Sequence, residues 1–179
     1  MHLEAIINQP VIEADRFSLR PVRRSDAGLL SLYAGDKRVA WNTTSIPHPL
    51  PPGTTEAFID RATSETRSED VWIMDGTKDG NEEVLGVLSL RPMDRGQSEI
   101  GYWIAPAFWN TGLASEAVRA MIAANPHEAR TLFASVFQDN PASARVLTNA
   151  GFEYIGDAES FSVARGSMVP TWTYILRLS

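Results

Sequence analysis

Apolar and polar residues alternate along "RFSLRPV", Arg16 to Val22, with the period of two that predicts a first β-strand. The period then lengthens. In "SDAGLLSLYAG" Leu29, Leu32 and Tyr33 fall at the spacing of one helical face, with Ser25 as the expected N-cap and Gly35 as the stop. "IPHPLPPG" carries four prolines, which exclude regular pairing and predict a loop of a kind more often functional than idle. A second helix is expected over "TTEAFIDRA", capped by Thr54 or Thr55, with Phe58 and Ala62 turned inward. "DVWIMD" and "EEVLGVLSL" read as strands joined through "GTKDGN", where Asp79-Gly80 suits the positive φ angles of a tight hairpin. "SEIGYWIA" is a further strand, antiparallel by its short connection.

Past that strand the chain turns and becomes helical from about Gly112 to Ala124, with Leu113, Ala117, Met121 and Ala124 along one side. "TLFASVF", Thr131 to Phe137, is apolar and β-branched enough for a strand. The helix after it is strongly marked: Asn140 as cap, Pro141 at the first position, Val146, Leu147 and Ala150 inward, Gly151 at the end. "FEYIGDAESFSVA" and "TWTYILRL" then form a closing hairpin. The order is strand, two helices, three strands, helix, strand, helix, two strands. It predicts an α/β (α+β) protein, a single domain over residues 1–179, with a mixed, mostly antiparallel sheet of six to seven strands flanked by about four helices.

Composition narrows the function classes. Hydrophobic residues at 44% and charged residues at 21% fit a packed core. The balance of 22 acidic to 16 basic residues, a net charge of -6, argues against broad nucleic-acid binding and leans toward cationic substrates. With no cysteine there is no disulfide, thiolate metal site or cysteine nucleophile. The first residues, "MHLEAIINQPVIEADR", have acids and proline where a secretory signal needs a basic start, and the longest uncharged run is broken by Pro106, Asn110 and Gly112. A cytoplasmic protein without a membrane span is expected. His2, His48 and His127 are scattered, so no metal site is expected, although His48 is a candidate for lining an acceptor pocket.

The candidate chemistry centres on "WNTGLAS", Trp109 to Ser115, where a turn opens onto a helix. Helix N-termini leave N–H groups unpaired and carry about half a positive charge, which suits an anion. A side chain at Gly112 would hold phosphates off the backbone, Asn110 visits positive φ more easily than most residues, and Ala114 leaves the next step clear. A bare G-x-A is more often an ordinary turn. Two polar residues add to it. Glu99 shares a strand face with Gly101 and Trp103, an acid among bulky apolar neighbours that desolvation would suit to act as a base, or else an exposed strand-end carboxylate. Ser143 falls on the inner stripe of its helix, where a hydroxyl is unexpected unless it serves a local backbone group.

"EIGYWIAPAFWNTGLASEA", "NPASARVLTNAGF" and "RFSLRPVRRSDAGLLSLY" together resemble the GCN5-related N-acetyltransferases (GNAT), in the branch that includes the RimJ/RimL ribosomal-protein acetyltransferases. The resemblance spans nearly the whole chain and is specific at the Gly112 turn, at "EIGYWI" and at "NPAS"; residues 36–70 and 156–170 carry little of it. Trp109 stands at the first position of the signature Q/R-x-x-G-x-G/A, as is common in that branch. The resemblance implies acetyl transfer from acetyl-CoA to a primary amine, on a small molecule or a protein N-terminus, by direct attack without a covalent enzyme intermediate. It implies pantetheine pairing beside Trp103, Ile104 and Ala105, and pyrophosphate on the turn that runs from Trp109 through Asn110, Thr111, Gly112, Leu113 and Ala114 to Ser115. It casts Ser143 as general acid to the departing thiolate and Asn140 as both helix cap and pantetheine contact. Homodimers are common in the branch. The rival reading is a module of the same shape that senses CoA without turning it over.

Overall fold

A computed structural model of the chain describes residues 9–178. One sheet of eight strands organises it, in the spatial order β1-β2-β3-β4-β5-β6-β8-β7. The strands are β1 (Ile12–Glu13), β2 (Ser18–Pro21), β3 (Asp70–Asp75), β4 (Gly86–Met93), β5 (Gln97–Ile104), β6 (Thr131–Phe137), β7 (Glu153–Ser162) and β8 (Ser167–Arg177). All neighbours run antiparallel except β5 and β6, which are parallel. The helices are α1 (Ala27–Ala34), α2 (Lys37–Trp41), α3 (Thr54–Thr63), α4 (Leu113–Ala124) and α5 (Pro141–Asn149). The mixed, mostly antiparallel sheet is as expected, with one strand and one helix more than the sequence pattern predicts. β1 is too short to show a period. The five residues of α2 form because the Asp36 carboxylate accepts the Arg38 N–H at 2.9 Å and caps them. Among the described residues no helix is long and apolar enough to cross a membrane.

Strand alternation gives the sheet two buried faces. Trp72 and Ile73 are adjacent in β3 and both fully buried, so each face there is covered. Phe17, Leu19, Trp72, Leu88, Ile100 and Leu132 pack on one side with Leu113, Val118, Met121 and Leu147 of α4 and α5. Val71, Ile73 and Val87 pack on the other with Leu30, Ile59 and Ala62 of α1 and α3.

Local details depart from the sequence reading for identifiable reasons. Ser25 is no cap but lies inside a 3-10 turn, Arg24–Asp26, that leads into α1. That turn brings Asp26 to the buried Arg20, whose guanidinium also holds Asp75 at 2.6 Å. The entry turn shifts the phase of α1, so Leu30 enters the core and Leu32 is 66% exposed. Gly35 ends α1 in ordinary helical geometry, and α3 is entered through Gly53 at φ +84° rather than capped by Thr54 or Thr55. Ile59 joins Ala62 on the inner side of α3, while Phe58 borders a cleft. Ala124 is exposed and Val118 takes its place in the core. Asp79-Gly80 does not make a tight hairpin: residues 76–85 form a wide loop closed by the Gly76 N–H on the Glu82 carbonyl.

One topological feature positions everything that follows. β5 and β6 pair only at Gln97↔Thr131, Ser98↔Leu132 and Glu99↔Phe133, and then separate, although β5 continues to Ile104 and β6 to Phe137. A wedge therefore opens in the middle of the sheet.

Candidate active site

The wedge opens into a cleft of about 1130 Å³ that reaches both faces of the sheet. On the α4/α5 face its border is the turn before α4. Asn110 and Gly112 adopt φ +62° and +82°, the positive-φ geometry from which backbone anion nests are built. The Trp109 N–H is spent on the Pro106 carbonyl and the Glu116 N–H on Gly112, but the six amides from Asn110 to Ser115 donate to nothing among the described residues. A Cβ placed on Gly112 would meet only the Arg16 guanidinium, at 3.5 Å, so the approach to these amides is open.

Arg16 braces the turn from behind. Its side chain donates to the Thr111 carbonyl at 2.9 Å and to Glu116 at 2.7 Å, and its own N–H reaches Glu116 at 2.9 Å. Burial raises the Glu116 pKa, yet these bonds outweigh it and hold the carboxyl below its usual range. Without that brace a carboxylate in the first turn of α4 would repel an anion on the same amides. Trp109 serves the turn as a staple, its Nε1–H donating to the Ile104 carbonyl at 2.7 Å while Arg38 lies over its ring. These amides, open and backed by the α4 dipole, fit the diphosphate of a coenzyme A molecule.

Asn140 caps α5 as expected, its side-chain oxygen accepting the Ser143 N–H at 3.4 Å. Ser143 borders the cleft, and its hydroxyl lies 2.9 Å from the Tyr102 hydroxyl, which also donates to the Ser143 carbonyl. Burial pushes the Tyr102 pKa up to about 12, against a smaller opposing effect of the Ser143 bond. Tyr102 is thus a neutral donor near pH 7. Sequence reading passed over it, though alternation along β5 puts it on the face opposite Glu99 and Trp103, where α5 packs.

Glu99, Gly101 and Trp103 face the other way, toward α1 and α3. Glu99 lines the cleft, but its neighbour is a cation: Arg91, directly across the β4–β5 pair, bonds its carboxylate. The apolar setting expected for Glu99 is absent because β4 supplies that guanidinium. Glu69, just before β3, also lines the cleft, with no hydrogen bond or ion pair of its own among the described residues. Burial raises its pKa, Glu99 and Asp70 add to the rise, and Arg91 and Arg61 oppose it.

The structure brings the expected residues together with two exceptions. Trp103, Ile104, Trp109, Asn110, Thr111, Gly112, Leu113, Ala114, Ser115, Asn140, Ser143 and Glu99 all border one cleft, Leu113 with its side chain in the core. Ala105 does not reach it: the residue is fully buried, its N–H donating to Leu85 and its carbonyl accepting from Phe108, so neither is free to pair with a ligand. His48 is likewise off the cleft, which its neighbours Ile46 and Leu50 border. His127 instead joins Ser98 to Asp70 at the opposite end of β5, and His2 lies outside the described residues.

The family model of the acetyltransferase (GNAT) domain matches residues 16–153. An uncharacterized N-acetyltransferase, YoaA of Bacillus subtilis (strain 168), is 25% identical over 174 residues, covering 92% of this chain and 95% of that protein. Among solved structures, the RimL ribosomal L7/L12 alpha-N-protein acetyltransferase in complex with coenzyme A superposes with a TM-score of 0.80 at 17% identity, over 94% of this chain and 98% of the other. The microcin C7 self-immunity acetyltransferase MccE, in complex with acetyl-CoA and AMP, gives 0.78 at 16% identity over 91% and 93%. The family match, over a wedge in a mixed sheet with open amides at a helix N-terminus, defines a CoA-dependent acyltransferase. The chain belongs to the GNAT acetyltransferases, with acetyl-CoA as its acetyl donor.

Proposed function

We propose that this protein acetylates a primary amine by direct attack within a ternary complex, with the cofactor on the α4/α5 face of the wedge and the acceptor on the α1/α3 face. The single observation that carries the reading is the set of six unspent amides from Asn110 to Ser115. Bound acetyl-CoA supplies an acetyl group activated as a thioester, and the amine nitrogen forms the new C–N bond as the C–S bond breaks. The amides hold the diphosphate and fix the donor's register along β5, beside Trp103 and Ile104. Ser143, hydrogen-bonded to a neutral Tyr102, has a proton to give to the departing sulfur and a partner that can replace it. Glu99, in its pair with Arg91, faces the acceptor side and takes the proton that the amine sheds, directly or through water.

The RimL neighbour acetylates a protein N-terminus, while this chain's wide cleft and net acidic charge also suit a small cationic amine. Thermal unfolding with acetyl-CoA at a hundredfold its Kd is expected to show about 2.7 kcal/mol of added stability, followed by thiol release with a panel of amines and N-terminal peptides. No thermal shift overturns the reading. A shift without thiol release from any acceptor would make the chain a sensor instead.

A further inference from the structure

On the α1/α3 face three charged residues stand in a row across the sheet. Arg91 of β4 pairs in register with Glu99 of β5, and Asp70 of β3 pairs with Leu90, so Glu69 precedes β3 at the level of Arg91. All three line the cleft. The next row along is small, Val71, Ser89 and Gly101, and a Cβ on Gly101 would already meet the Ser89 hydroxyl at 3.4 Å. The floor beside the charges is therefore low and open.

The charges do not cancel. Arg91 is bonded to Glu99, whereas Glu69 has neither an ion pair nor a hydrogen bond among the described residues. Asp70 beside it is held by Arg67 and His127, and Arg91 and, more weakly, Arg61 act on Glu69 only through space. One half-buried carboxylate is left over in a cleft that receives amines. Its distance from the reaction is also set: two strand spacings of about 4.8 Å each separate Glu69 from β5, along which the donor lies. That is too far for a proton acceptor in contact with the nitrogen under attack, and suited to a group several bonds beyond it.

We propose that Glu69 is a specificity-determining residue that grips a second ammonium group of the acceptor, and that the acceptor class is therefore a diamine whose two nitrogens are joined by a short apolar chain. The chain lies on the Val71–Ser89–Gly101 floor, with one nitrogen toward β5 and the other against Glu69. This inference rests on the acetyl-transfer reading above.

The test uses diaminobutane and butylamine as probes, titrated by calorimetry into the full-length protein saturated with CoA. Wild type is expected to bind the diamine at least tenfold more tightly than the monoamine, and Glu69→Gln to abolish that preference while keeping its thermal shift with acetyl-CoA. Because burial raises the Glu69 pKa, the preference in wild type also fades as pH falls through that raised value, a readout that needs no variant. Equal binding of the two amines by wild type, a preference that survives in Glu69→Gln, or a preference indifferent to acid overturns the proposal. Loss of the acetyl-CoA shift in wild type would instead overturn the transferase reading, so the two failures are distinct.

Discussion

The two halves of the cleft are made from different material. On the α4/α5 face the proposed binding surface is backbone: six amides on a turn with two positive φ angles, with side chains such as Arg16 and Trp109 serving as braces behind. On the α1/α3 face it is side chains, with Glu69, Arg91 and Glu99 across the sheet and Phe58 and Arg61 from α3 above them. A backbone site tolerates wide sequence change and reads a ligand feature that never varies, a diphosphate in the function proposed above. A side-chain site can be rewritten residue by residue and so can follow whatever acceptor the protein serves. The chain shares its fold with the RimL enzyme over 94% of its length at 17% identity.

The largest break in that contrast is Gly112→Glu. It puts a side chain at φ +82° and a negative charge among the open amides, so acetyl-CoA affinity is expected to fall more than about a hundredfold by calorimetry. Binding within threefold of wild type would place the diphosphate elsewhere. Next in size is Ser143→Ala, where loss of a general acid is expected to lower kcat about a hundredfold with acetyl-CoA affinity unchanged. An unaltered kcat removes Ser143 from proton transfer and leaves its bond to Tyr102 as packing.

The smallest effect concerns the root of β3, which carries the acceptor half. Burial raises the Asp70 pKa, but hydrogen bonds from His127 and Arg67 outweigh it, so the folded value lies below the ordinary one. A depressed carboxylate stabilises the fold above its unfolded pKa, about 3.9, and that contribution is lost as pH falls through the folded value. Asp70→Asn is expected to cost about 1.5 kcal/mol in urea unfolding at pH 7, with the gap to wild type closing below about pH 4. Acetyl-CoA affinity should stay within twofold, since the amide turn does not depend on this anchor. A gap that persists unchanged in acid would show that packing, not charge, is what the variant removes.

Legibility along the chain followed the range of the interactions involved. Asn140 before Pro141 announced α5, and Asn110 and Gly112 announced the turn, because caps and positive φ angles involve neighbours within a few residues. Leu32 and Ser25 were misplaced because the partner that set the phase of α1 was Arg20, buried with Asp75 from a strand 55 residues on. Ala105 was expected at the ligand but had its N–H and carbonyl taken by Leu85 and Phe108.

The sequence by itself determined the proposed diphosphate site, since every group in it lies between Trp109 and Glu116 apart from the brace at Arg16. It also determined the order of the longer strands and helices, though not β1 or α2, and the N-cap of α5. The tertiary structure alone decided the proposed acceptor half. Register between β3, β4 and β5 matched Arg91 to Glu99 and left Glu69 without a partner, and the parting of β5 from β6 after Glu99 opened the sheet at that level. Such pairings join residues far apart in the chain, and which strand lies beside which is settled by packing the whole sheet against its two layers of helices.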